Sequence, residues 1–223
     1  MKRRKDPLTA ASTAILQPVL DPLGFKKLGL RNFARVTDGV GQYLSLQLSA
    51  FGSKQFAVNY AAITLYCPRE HWVLTPGGRL PRRENGDGWW SAETHELAHK
   101  SMQEIVEKLK MRCFPWFTKN STTEGLLQEL SRRLQDVDAP YLFDIACCQT
   151  KCGKFTDAKK TLVKAKKSYL ERYKGMPACT WCLAGIALCE ELESALQESR
   201  QEQKIEEWLR FSIAHLKIEK LFE

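Results

Sequence analysis

The sequence predicts an α+β fold: an antiparallel meander sheet with flanking helices over residues 1–138, followed by an all-helical hairpin subdomain over residues 139–223. Three observations predict it. Tyr43 to Ser49 alternates cleanly, with Leu44, Leu46 and Leu48 on one side and Tyr43, Ser45, Gln47 and Ser49 on the other, which is the period of a half-covered strand. Phe56 to Tyr66 is apolar on both sides, as expected of a central strand. From Ser91 onward the apolar residues recur three and four apart, the helical period. The chain has 223 residues, 43% hydrophobic and 27% charged, a globular composition with room for a real core. No stretch approaches the roughly 20 apolar residues that a membrane span needs.

Asp6 reads as an N-cap and Pro7 as a first-turn residue. Leu8, Ala11, Ile15, Leu16, Val19 and Leu20 then follow at helical spacing. The basic tip Met1–Lys5 before it reads as a solvated tail. It is not a signal peptide, because Asp6, Pro7, Thr9, Ser12, Thr13 and Gln17 interrupt any apolar core. Pro22 and Gly24 close the helix. Phe33 to Thr37 reads as a strand and Asp38-Gly39 as a hairpin turn, which puts Phe33 on the leucine side. Gly52 breaks the chain before the Phe56–Tyr66 strand. If Phe56, Val58 and Tyr60 join the leucines, Asn59 shares the opposite face with Gln47; a one-residue slip would reverse this. His71 to Leu74 is expected as a short fourth strand. Residues 75–90 are expected as a loop carrying Arg79, Arg82, Arg83, Gly86-Asp87-Gly88, Trp89 and Trp90.

In the helical part, Ser91 is the expected cap of a helix whose buried stripe is Met102, Ile105, Val106 and Leu109, running to about Cys113, with Pro115 as its interruption. Ser121-Thr122-Thr123-Glu124 reads as a capping box for a helix with Leu126, Leu127, Leu130 and Leu134 inside. Asp138 to Pro140 marks a junction. Leu142, Ile145, Ala146, Gly153, Phe155, Ala158, Leu162 and Ala165 make residues 139–172 resemble one tetratricopeptide-type helical hairpin, with Gly153 ending the first helix and Phe155 packing at the turn. The resemblance departs at Gln149 and Leu170. Residues 177–199 and 201–222 make a second, looser pair. Such repeats cannot bury their apolar faces alone, so the two pairs are expected to pack on the first domain or on a partner. Charge divides here: residues 151–175 hold nine Lys/Arg against two acids, and residues 190–210 hold seven glutamates against three basic residues.

Eight cysteines are present, and Cys179, Cys182, Ile186 and Cys189 fall on one helical stripe. With no export signal in view, they read as free thiols of a reducing cytoplasm. Cys148 and Cys152 facing Cys179 and Cys182 is a second metal reading. The first is His95-Glu96-Leu97-Ala98-His99, which fits H-E-x-x-H. Histidines four apart on a helix share a face and can hold one zinc, with Glu96 as base toward a metal-bound water. No third-ligand extension follows, and Glu124 is the best downstream candidate. Trp89 and Trp90 beside Arg79, Arg82 and Arg83 could stack bases and hold phosphates; folding back onto the core is the commoner role of such tryptophans.

Six pieces resemble, as an ordered series, an uncharacterised bacterial domain family, the domain of unknown function numbered four-three-zero-four. They are Leu23-Gly24-Phe25-Lys26, Phe33-Ala34-Arg35, Leu46-Gln47-Leu48-Ser49, Phe56-Ala57-Val58-Asn59, Trp89-Trp90 and Pro115-Trp116. The resemblance spans roughly residues 8–135, implies an α+β domain with an antiparallel sheet, and supplies no activity, cofactor or catalytic residue. The expected function is non-enzymatic protein binding, as an immunity-like or regulatory partner of another bacterial protein, with Gln47, Asn59, Trp89 and Trp90 as contact residues. Neither nucleic acid nor membrane is the expected partner, and no cofactor is expected. The alternative is a zinc-dependent hydrolase using His95, Glu96 and His99.

Overall fold

The computed structural model describes residues 6–51, 54–82, 88–132 and 138–222. The basic tip Met1–Lys5, the break at Gly52, Arg83 and Gly86-Asp87 of the loop, and Leu134 lie outside the described residues. Asp6 caps α1 (Pro7–Ala11) by accepting from the Thr9 backbone N–H. A π-helical turn, Ser12–Leu16, continues into α2 (Gln17–Leu20). Leu8, Ala11, Leu16 and Leu20 are buried.

The sheet has strands β1 (Lys26–Lys27), β2 (Asn32–Thr37), β3 (Val40–Leu48), β4 (Gln55–Thr64), β5 (Gly77–Arg79) and β6 (Trp89–Ser91). All pairings are antiparallel, in the order β1-β2-β3-β4-β5. β6 pairs with the start of β4, so β5 and β6 lie end to end along the β4 edge away from β3. The central place expected for β4 is thus observed. The turn between β2 and β3 is Asp38-Gly39, both at positive φ, the conformation that matches hairpin twist. Leu44 faces Tyr60, Leu46 faces Val58 and Leu48 faces Phe56, so the leucine face is the one expected, and Phe33 joins it opposite Leu44.

Two expectations along this stretch are corrected. His71–Leu74 forms no strand; Trp72 instead stacks on Tyr43 at 4.7 Å between ring centroids. The supposed loop of residues 75–90 supplies β5 and most of β6. Three-residue strands carry too little alternation to be read as strands.

Helix α3 (His95–Lys108) is capped by Thr94, which accepts from the Leu97 N–H; Ser91 ends β6 instead. Pro115 does not interrupt the helical run. A π-helical turn, Leu109–Cys113, leads into α4 (Phe114–Lys119). The same order, π turn then proline, occurs at Ser12–Leu16 and Pro18. A widened turn makes room for a ring that would otherwise clash with the carbonyl four residues back. The capping box does not form: Thr122 caps α5 (Thr123–Ser131) by accepting from Gly125, while Glu124 faces Lys154 at 3.8 Å. Asp38 of the hairpin turn accepts from the Thr123 N–H at 2.8 Å, tying the turn to the helix start.

The C-terminal helical region comprises α6 (Ala139–Lys151), α7 (Phe155–Gly175), α8 (Trp181–Gln197) and α9 (Gln201–Leu216). Asp138 caps α6, and Gly153 at φ +71° turns the chain into α7. Phe155 sits partly exposed at the start of α7. The basic face of α7 meets the acidic one in part, through Lys166 and Glu193.

The main core lies on the leucine face. Phe33, Leu44, Leu46, Phe56 and Val58 pack under Leu8, Leu16, Met102, Ile105, Leu109 and Phe117. Further along that face, Val40 and Ala62 meet Leu126, Leu130, Ile145 and Cys148 of α5 and α6. On the opposite face, Ile63 and Leu65 are covered by Leu216 and Ile218. Parts of α6 and α9 therefore bury apolar residues against the sheet, and two of these clusters cross residue 138, whereas α7 and α8 bury theirs mainly among the helices, with Tyr66 and Cys67 at the margin. Among the described residues, no helix is long and apolar enough to cross a membrane.

Candidate binding surface

One half of the second sheet face carries a polar and aromatic cluster. Alternation sends Gln47 and Asn59 to this face from β3 and β4. Because Arg79 pairs with Asn59, and Trp89 with Ala57, β5 and β6 send those two side chains to the same side. Asn59 donates from Nδ2 to Gln47 Oε1 at 2.8 Å. Arg79 donates from Nε to Asn59 Oδ1 and from Nη2 to Gln47 Oε1, both at 3.3 Å. Its guanidinium carbon lies 4.8 Å from the Trp89 ring centroid. The guanidinium is thus held by two amides and an indole, on an arginine that is itself exposed.

The four expected contact residues divide. Gln47 is exposed and Trp89 half-buried, and both are on the cluster face. Asn59 is only 4% exposed and works by holding Arg79 and Gln47. Trp90 is fully buried on the leucine face beside Phe56, because adjacent strand residues point to opposite sides. It is a core residue. Arg79 was legible as a member of the aromatic-basic loop. Its central place was not, because it depends on β5 and β6 sharing one edge of β4.

His95, Glu96 and His99 are exposed on the first turns of α3. Cys148 packs with Val40 and Ala62, and Cys152 packs against that cluster; Cys182 and Cys179 belong to the core between α7 and α9. Burial pushes the Cys148 thiol well above its ordinary value. Among the described residues, no group of three or more His, Cys, Asp or Glu side chains is placed to hold a metal ion.

Fold and surface together define an α+β domain: an antiparallel sheet backed by helices, with one polar and aromatic patch left on its second face. Residues 16–119 match the family model of DUF4304, a domain of unknown function. The match includes β1 to β6, α3 and α4, and all six sequence pieces that carry the resemblance; α6 to α9 lie outside it. Comparison with curated proteins and with solved structures found no match.

Proposed function

We propose that the chain is a non-enzymatic protein-binding module, an immunity-like or regulatory partner of another protein in a bacterial cytoplasm. Its contact face is the patch formed by Gln47, Arg79 and Trp89. The observation that supports this is the fixed guanidinium of Arg79. Two amide oxygens and the Trp89 ring hold it in one orientation on an exposed surface, so little side-chain entropy is lost on binding. Arginine and tryptophan dominate binding energy at protein interfaces, and a planar fork suits a partner's carboxylate. Burial of six of the eight thiols accords with a reducing compartment.

The test is photo-crosslinking in the native host from a benzoylphenylalanine placed at Gln55, an exposed residue on the same face of β4 that takes no part in holding Arg79. A discrete crosslinked protein is expected, lost on Arg79→Ala and not restored by Arg79→Lys. No adduct, or an adduct pattern indifferent to Arg79→Ala and Trp89→Ala, overturns the reading.

A further inference from the structure

A cleft of about 710 Å³ lies between the segment after β4, including Arg69 and Glu70, and helices α8 and α9. It is a site apart from the sheet patch. Its walls are aromatic: Trp181 is exposed, Phe211 half-buried, and Trp208 and Tyr169 buried behind them. Gly185 and Ala184 open the α8 side. A Cβ at Gly185 would come within 2.4 Å of the Tyr169 ring, so the absence of a side chain there lets Tyr169 lie flush against α8.

The charge around this cleft is opposite in sign to that of the chain. The protein carries a formal net charge of +8, yet three carboxylates, Glu70, Glu191 and Glu207, line this opening. The charge of Arg69 is met by Asp144. Lys204 faces Glu191 at 3.4 Å and Glu207 at 3.1 Å, and its ammonium lies 5.8 Å from the Trp208 ring centroid. Arg172 lies 5.0 Å from that of Trp181. Both indoles therefore already take a cation from this chain, which shows what their surroundings accommodate. Counting Lys204 and Arg172, carboxylates remain in excess. The volume is within the range of about 300–1,000 Å³ of ligand clefts.

We infer that this cleft is a docking site for a basic peptide segment of another protein, in which an apolar side chain enters between Trp181 and Phe211 and a lysine or arginine meets Glu70 and Glu191. Aromatic walls supply apolar area and cation–π attraction, and the carboxylates select the sign of charge. Glu70 has no ion pair among the described residues and is exposed, so it is available to a visitor.

The test is selection of a displayed random nonapeptide library on the full-length chain. Recovered peptides should be at least threefold enriched in Lys and Arg next to an apolar residue. A recovered peptide should lose about tenfold in affinity on Glu70→Gln with Glu191→Gln. It should also be blocked by Ala184→Trp, an exposed position where the larger side chain fills the cleft, and it should bind more weakly as salt rises. Circular dichroism establishes that each variant is folded. Arg79→Ala should leave this binding unchanged, which separates failure here from failure of the sheet-face reading. Recovery of no peptide, of peptides without basic enrichment, or of peptides indifferent to these substitutions overturns the inference.

Discussion

Arg69 and Asp144 form a direct, buried ion pair that joins the segment following β4 to α6. Burial disfavours the charged guanidinium, but the Asp144 carboxylate outweighs it and raises the arginine's proton affinity. Around the pair, Ser212 of α9 accepts from the Arg69 N–H at 3.0 Å and donates to the Cys67 carbonyl at 2.7 Å. Three parts of the chain far apart in sequence thus share one polar junction. Removing one partner of such a pair leaves a buried charge uncompensated, at a cost of about 3–5 kcal/mol. Asp144→Ala and Arg69→Ala are each expected to lose that much in urea unfolding, and Arg69→Met with Asp144→Leu much less. Losses under about 1 kcal/mol for both single variants would show that water reaches the pair.

Gln42 is a second buried polar tie. It faces the leucine side with no exposure, donates from Nε2 to the Phe117 carbonyl at 2.5 Å and the Asn120 carbonyl at 2.9 Å, and accepts from Arg35 Nε at 2.6 Å. Gln42→Leu leaves those carbonyls without this donor, each at a cost of about 1–3 kcal/mol. Thermal unfolding should therefore move down by several degrees, and amide exchange at the end of α4 should quicken.

Gly185→Ala tests the contact beneath the cleft. The added methyl meets the Tyr169 ring at 2.4 Å, so the ring or α8 must shift, at a cost of about 1–3 kcal/mol. The better helix propensity of alanine recovers up to about 1 kcal/mol. A net loss in the denaturation midpoint is expected, and Gly185→Ala with Tyr169→Leu should relieve it.

Buried thiols set an alkaline limit. Burial pushes Cys113 up to about 12, with Arg112 pulling part of the way back, and burial likewise holds Cys189 at about 12. An unfolded thiol ionises near 8.5. Above that pH the unfolded chain releases protons that the folded chain keeps. The stabilisation is therefore complete below about pH 8.5 and declines as pH rises toward the folded values, by roughly 1 kcal/mol per pH unit for each thiol. Urea titrations between pH 8 and 10.5 should show this decline, less steep in Cys113→Ala. Identical slopes for the two proteins would mean that the Cys113 thiol ionises while folded.

Much of the sheet was legible because β3 and β4 are long enough for alternation to show, and the Asp38-Gly39 turn fixed the register of β2 on β3. The helical stripes at Met102–Leu109 and Cys182–Cys189 were legible for the same reason. What escaped was non-local. Asp38 assisting the start of α5, and Arg79 coming to rest on Trp89, depend on pairings that no local pattern encodes. Trp90 was misjudged because β6 is too short to reveal which of two adjacent tryptophans faces inward. Pro115 suggested a break because the π turn that accommodates it has no distinctive composition.

The outer strands of the sheet are two or three residues long, whereas the nine and ten residues of β3 and β4 lie inside it. On the β1 side, Lys26 and Lys27 occupy the rim, and Lys220 donates to the Lys27 carbonyl at 2.9 Å. So short and charged a border is a poor template for a further strand. It discourages polymerisation through backbone pairing, and a chain that met this rim would find side-chain shape and charge there, with little free backbone on which to extend the sheet.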